Sequence, residues 1–206
     1  MAVPPQITVS NLSGIYTLNS TLSDNSQQTL KMQSVSWLVR QAVQYSSIET
    51  TLKQYTTTPT SMSPDSGIPG PDGLVHHLDQ YQLSTGGIRN FEDRVMDWQT
   101  TVKPNKIWGE VRGRSRYIAL PAIETDDPWL KEGWDDSCSG EGKVVVEGYV
   151  EGVKEGWSAH QIWGFAVVGG ERRHVRKILA RRQGWKDERV RMVYDWKGPV
   201  VDEGKK

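Results

Sequence analysis

From Ser47 onward the chain rarely runs far beyond ten residues without a turn signal, and that punctuation suits strands rather than helices. Strand-like segments cover 47–55, 74–83, 87–97, 106–120, 143–154, 157–168, 171–182 and 188–196, with a shorter one near 98–103. A first strand is expected at Ser13–Asn19. Between it and the others, Leu22 to Tyr45 contains neither Gly nor Pro and is rich in Gln, Leu, Met and Ala. Ser23 can cap a helix there, with Asp24 in its first turn. A second helix is expected over about Val35–Tyr45, where Leu38/Ala42 and Trp37/Gln41/Tyr45 recur at helical spacing. The pattern predicts an all-β domain spanning 1–206: a single antiparallel up-and-down barrel of 9–10 strands, with a two-helix lid (22–46) after the first strand. Two irregular insertions interrupt it. One is a Thr/Ser/Pro/Gly-rich loop at 56–73, expected to be flexible; the other is an acidic loop at 121–142, anchored by Trp129 and Trp134.

Composition narrows the function. Lys plus Arg and Asp plus Glu each number 25, so net charge gives no general attraction to nucleic acid or anionic membrane. The basic run Arg172–Arg191 holds nine Lys or Arg, but on strands half of them face solvent, and the acidic loop offers counter-charge. No nucleic-acid partner is expected. No stretch reaches the roughly 18 apolar residues of a membrane span. The start, Met1-Ala2-Val3-Pro4-Pro5, lacks a basic region followed by an apolar run, so a cytoplasmic location is expected. Cys138 is the single cysteine, which leaves no multi-Cys metal site, and nothing beside it in sequence would make it a nucleophile. No phosphate loop, dinucleotide fingerprint, zinc-protease motif or hydrolase elbow is present, so neither cofactor nor metal is expected. His76 and His77, adjacent on a strand, point to opposite faces and cannot chelate one metal together.

The layout resembles the intracellular fatty-acid-binding branch of the calycin superfamily. The residues that carry the resemblance are Leu12-Ser13-Gly14-Ile15-Tyr16-Thr17-Leu18, Leu30 to Arg40, and Val190-Arg191-Met192-Val193-Tyr194-Asp195. It implies a small barrel with an internal cavity for an apolar ligand. Two departures stand out: Tyr16 occupies the place of the family's Trp, and Met192 that of its carboxylate-binding Arg. The Gly-rich, Trp-rich strands are also similar to small barrel proteins of filamentous fungi, and some barrels of fungal natural-product pathways are cofactor-free cyclases, hetero-Diels–Alderases among them.

Register arithmetic predicts which side chains face inward. A two-residue turn at Glu155-Gly156 would pair Gly148 with Trp163, Val146 with Phe165 and Glu151 with His160. A turn at Gly169-Gly170 pairs Phe165 with His174, Trp163 with Arg176 and Gln161 with Ile178. Matching the apolar face of the last strand places Arg176 opposite Tyr194. Val111, Gly113, Ser115 and Tyr117 should point inward, with the Arg112/Arg114/Arg116 face outward. The predicted interior thus holds His174, Arg176 and Tyr194 as a polar cluster. Trp163 and Phe165 form an aromatic wall, and Tyr117, Gln161, Met192 and the lid residue Trp37 complete the lining. The buried arginine needs a partner. It is either structural, stacked on Trp163 and bonded to Tyr194, or part of a site for a hydrophobic or aromatic small molecule. In an enzyme, His174 and Tyr194 would exchange protons and Arg176 would stabilise developing negative charge, suiting dehydration, isomerisation or pericyclic cyclisation. The rival reading is a non-catalytic intracellular carrier of a hydrophobic ligand.

Overall fold

The computed structural model describes residues 1–59, 67–135 and 143–200; Cys138 lies outside them. Its elements are β1 (Gly14–Leu18), α1 (Gln27–Met32), α2 (Trp37–Tyr45), β2 (Ile48–Thr57), β3 (Val75–Ser84), β4 (Arg89–Val95), β5 (Thr101–Asn105), β6 (Gly109–Ala119), β7 (Val144–Gly152), β8 (Trp157–Val168), β9 (Glu171–Arg182) and β10 (Glu188–Gly198). All ten strands form one antiparallel sheet in the order β4-β3-β2-β1-β10-β9-β8-β7-β6-β5. Pairing of β1 with β10 rolls the meander into a nearly closed barrel, with a seam left between β4 and β5. No described helix is long and apolar enough to cross a membrane.

Turn chemistry explains the registers. Gly169 and Gly170 both take positive φ, which a two-residue hairpin turn needs, and they pair Phe165 with His174, Trp163 with Arg176 and Gln161 with Ile178 as predicted. The turn before β8 is longer than predicted. Gly156 N–H reaches back to Gly152 O (3.1 Å), so Val146 rather than Gly148 lies opposite Trp163, and Tyr149 rather than Glu151 opposite His160. A slip of two preserves every facing, because strand side chains alternate with period two. The last strand is displaced likewise: Arg176 lies opposite Met192, and Tyr194 opposite His174.

The barrel interior has a packed half and an open half. At one end residues 3–12 act as a plug. Val3 N–H donates to Arg172 O (2.7 Å), and the Arg172 guanidinium donates to Pro4 O (3.0 Å) and Ile7 O (2.9 Å). Gln54 ties the plug to the wall through Leu12 N–H, Val9 O (2.8 Å) and the Tyr117 hydroxyl (2.7 Å). Val3, Val9 and Leu12 join Tyr16, Leu52, Leu78, Val146, Trp163, Phe165, Tyr194 and Trp196 in one core. Trp196 packs over Gly14, where a Cβ would lie 2.0 Å from its ring, so the first strand needs glycine there.

The other end carries the lid. Ser36 Oγ caps α2 by accepting from Val39 N–H (3.4 Å), as small hydroxyl residues do at helix starts. Ser23 caps nothing: its hydroxyl bonds the backbone of Val193 on β10, and α1 starts after Ser26. Arg182 holds the lid down by donating to Met32 O (2.8 Å) and Ser34 Oγ (2.8 Å).

A second core lies outside the barrel. Leu120, Ile123 and Leu130 of the segment after β6 cover Val145, Ile162 and Leu179, with Trp129 and Trp134 at the edge. Lys177 is buried beneath them, donating to Trp129 O (2.8 Å) and to Glu132 O. Burial pushes its ammonium down to about 8. Asp126 and Asp127 of this segment pair with Arg181 (2.9 Å) and Arg189 (2.7 Å).

Candidate functional site

The open half contains a chamber of about 140 Å³ under the lid and, at the β4/β5 seam, a cleft of about 320 Å³. Gln33, Glu92, Trp108 and Gln161 line both, so the two spaces meet. The chamber's roof and sides are apolar: Leu30, Val39 and Val43 come from the lid, and Ile48, Ile178, Val190 and Met192 from the strands. Its floor is polar. There Arg176 donates to Gln80 Oε1 (2.8 Å) and Gln161 Oε1 (3.0 Å), and its guanidinium lies 3.7 Å from the centre of the Trp163 ring. Trp163 Nε1–H donates to the same Gln161 oxygen (3.2 Å). A guanidinium held by two amides and a ring face is fixed in direction, and its Nε–H has no partner among the described residues.

Sequence reasoning missed the wall that faces this floor. Along β4 the polar residues Asn90, Glu92 and Arg94 turn inward, and Phe91 turns outward, half-exposed at 50%. Glu92 pairs with Arg94 and accepts from Asn90 Nδ2 (3.0 Å). Burial pushes the Glu92 carboxyl up, but Arg94 and Arg176 outweigh burial and hold it below the usual carboxylate range. Arg94 also donates to Ser115 Oγ (3.2 Å) and sits over Trp163 at 4.9 Å. The available signal was the alternation Asn90/Glu92/Arg94 against Phe91, which reads as an exposed polar face under the apolar-in rule and is inverted here.

The seam is clasped by side chains. Lys103 on β5 pairs with Asp93 on β4, and Asn105 Nδ2 donates to Asn90 Oδ1 (3.2 Å). Trp108, just beyond β5, donates to Gln33 Oε1 (3.1 Å) and so joins the seam to the lid.

The predicted site residues separate by depth. Arg176, Gln161 and Met192 line the chamber. His174 and Tyr194 lie one step deeper on the same strands, buried in the packed half. The His174 ring is enclosed by Tyr16 (5.1 Å), Tyr194 (5.3 Å), Phe165 (5.8 Å) and Trp163 (6.4 Å), and its Nδ1 bonds Gly164 O (3.1 Å). Burial and the nearby Arg176 push its pKa down to about 3, which keeps the ring neutral. Burial pushes the Tyr194 hydroxyl up, so it stays protonated. Trp163 and Phe165 offer no free faces to a ligand: Arg176 lies over the first and Arg172 over the second (4.1 Å). Tyr117 is spent at the plug end, against Gln54 and the edge of His76. Trp37 and Leu38 do not point toward the cavity; at 62% and 72% exposure they lie on the lid's outer face, because the inward stripe is Val39/Val43. His76 bonds Asp72 (2.9 Å), and His77 stacks on Tyr55 (4.7 Å).

No protein-family model matches the chain. Two curated proteins resemble it from end to end. It is 29% identical over 199 residues, 96% of each chain, to "Probable pericyclase scpY" of Mollisia scopiformis. It is 28% identical over 202 residues, 97% of this chain and 98% of the other, to "Pericyclase pydY" of Acremonium sp. The chain is similar to pericyclases. Among solved structures it also resembles a Schistosoma mansoni fatty acid binding protein in complex with arachidonic acid, at TM-score 0.49 and 12% identity, covering 92% of this chain and 98% of that one. A human protein, cRBP IV, aligns at TM-score 0.48 and 11% identity over 90% of this chain and 98% of its own.

Proposed function

We propose that this protein is a cofactor-independent pericyclase that folds a flexible, largely apolar substrate inside the chamber and directs its cyclisation, for instance by a hetero-Diels–Alder reaction. The observation that carries the reading is the Arg176 guanidinium, fixed by Gln80, Gln161 and Trp163 at the floor of an apolar enclosure. A pericyclic step moves bonding electrons within one molecule. What accelerates it is a reactive conformer held in place and a dipole or charge already aimed where electron density builds up. The Leu30/Val39/Val43 roof supplies the first, and the fixed positive charge of Arg176 supplies the second. Gln161 and Met192 would touch the substrate, and Tyr194 and His174 would act as the packed support behind Arg176. Whole-length similarity to two proteins named as pericyclases supports catalysis over simple carriage. We also place the protein in the cytoplasm, which fractionation of the source cells would test.

The test is turnover of a linear compound carrying a conjugated diene tethered to an alkene or carbonyl acceptor. Chiral chromatography would follow rate and stereochemistry with and without protein. The expected result is one enriched stereoisomer and a rate that falls by about 10²–10³ in Arg176→Met, the usual worth of one preorganised donor. Unchanged rate and isomer ratio across a panel of substrates that demonstrably bind would leave the carrier reading standing.

A further inference from the structure

Three charged side chains meet where the chamber joins the cleft: Glu92 and Arg94 on β4, and Arg176 on β9. Glu92 and Arg94 form an ion pair and offset each other. Among the described residues Arg176 bonds neutral oxygens, those of the Gln80 and Gln161 amides with the Tyr194 hydroxyl beside them, so the group of three carries one excess positive charge. The other titratable groups packed against it do not cancel that charge. His174 is held neutral and Tyr194 is protonated, while Asp93, which lines the seam cleft, is offset by its ion pair with Lys103. Two buried donors, Arg176 Nε–H and Arg94 Nε–H, have no partner among the described residues. A buried cation without a counter-ion, next to unused donors, is costly unless something else supplies the acceptor.

Resting on the pericyclase reading, we propose that the substrate supplies it: an enol or phenol whose oxygen binds at Arg176 as the anion, conjugated with the system that cyclises. The proton of the O–H group leaves to bulk water through the seam cleft, and the enclosed charge becomes zero. A delocalised anion suits this place better than a carboxylate. Both carry one negative charge, but an enolate or phenolate spreads part of it over carbon, whereas a carboxylate would keep it on two adjacent oxygens beside ionised Glu92. The same contact orients the substrate and raises the electron-donating power of its π-system. Glu92 becomes a specificity-determining residue: it limits the local field to a single charge.

The experiment uses 7-hydroxycoumarin, whose neutral and anionic forms absorb at different wavelengths, titrated with pH in excess protein. Its 7-methoxy analogue, which cannot ionise, serves as control. The bound coumarin should ionise at least about one pH unit lower than the free dye, a tenfold preference for the anion. Its anion should bind at least tenfold tighter than the methoxy compound. Arg176→Met should abolish the shift, Arg176→Lys should retain most of it, and Glu92→Gln should enlarge it. Circular dichroism of each variant separates loss of charge from loss of fold, and the wild-type shift needs no variant. An unshifted or raised ionisation of bound coumarin, or no binding of it at all, overturns the proposal. Cyclisation of a substrate lacking any ionisable oxygen, with no coumarin shift, would sustain the pericyclase and refute the anion. A coumarin shift without cyclisation would do the reverse.

Discussion

Replacing His174 by Phe tests whether the packed half of the barrel is built around a neutral imidazole. The ring's pKa is driven from 6.5 to about 3 by burial and by Arg176. In the unfolded chain the imidazole returns to its ordinary value and takes up a proton as pH falls below 6.5; in the folded chain it does not. Protonation of the unfolded form therefore draws the equilibrium toward it. This contribution to stability is fully present above about pH 6.5 and declines below it, by about 1.4 kcal/mol per pH unit, until the folded ring titrates near 3. Between about pH 6.5 and pH 5 the loss is roughly 2 kcal/mol, a large share of a typical domain's 5–15 kcal/mol. His174→Phe removes the titration and leaves Gly164 O without its imidazole donor, a cost of about 1–3 kcal/mol at neutral pH. Urea unfolding of both proteins at about pH 7.5 and pH 5 would isolate the effect, because the other three histidines cancel in the difference. The stability gap between wild type and variant should narrow by about 2 kcal/mol at the lower pH. A gap that stays constant would mean that its aromatic neighbours do not close His174 off from water.

Four further outcomes follow from the packing. Trp37→Ala, on the lid's outer face, should change stability by less than about 0.5 kcal/mol and leave ligand exchange rates unaltered in stopped-flow fluorescence. Gly14→Ala should cost about 1–3 kcal/mol in urea unfolding, because its Cβ would meet the Trp196 ring. Lys103→Ala loosens the clasp across the seam, so ligand should leave severalfold faster by stopped flow while urea midpoints barely move. Lys177→Met strands the carbonyls of Trp129 and Glu132, and should both destabilise by about 1–3 kcal/mol and weaken the near-ultraviolet dichroism of Trp129 and Trp134.

The parts legible in the sequence were those governed by short-range chemistry. Gly169-Gly170 admits one compact turn, and the β8/β9 register follows from it residue by residue. Facing survived even where register slipped by two, since a two-residue error returns each side chain to the same side. The site was harder, because its position depends on depth along each strand and not on facing alone. Arg176 and His174 share a face, yet one borders a chamber and the other is sealed in a core, as residues 3–12 fill only one end. The β4 wall was illegible for a different reason. Apolar-in patterning assumes a solid interior, and a hollow one can reverse it: Glu92 and Arg94 point in while Phe91 and Tyr81 stack on each other outside (4.6 Å). Trp37 misled in the same way, its bulk suggesting a cavity wall where two valines do that work.

The second core beneath Leu120, Ile123 and Leu130 gives the barrel a grain. Strands β7, β8 and β9 are gripped from both sides, by the interior core and by this outer layer with its buried lysine. Among the described residues that outer layer does not extend over β4 and β5, and a few side chains hold them together across the seam. Arg176 rides on the gripped wall, Glu92 and Arg94 on the yielding one. A substrate that changes shape as it cyclises would therefore push the seam outward while the guanidinium stays where it was, so the barrel can accommodate a changing volume without misplacing the charge it aims.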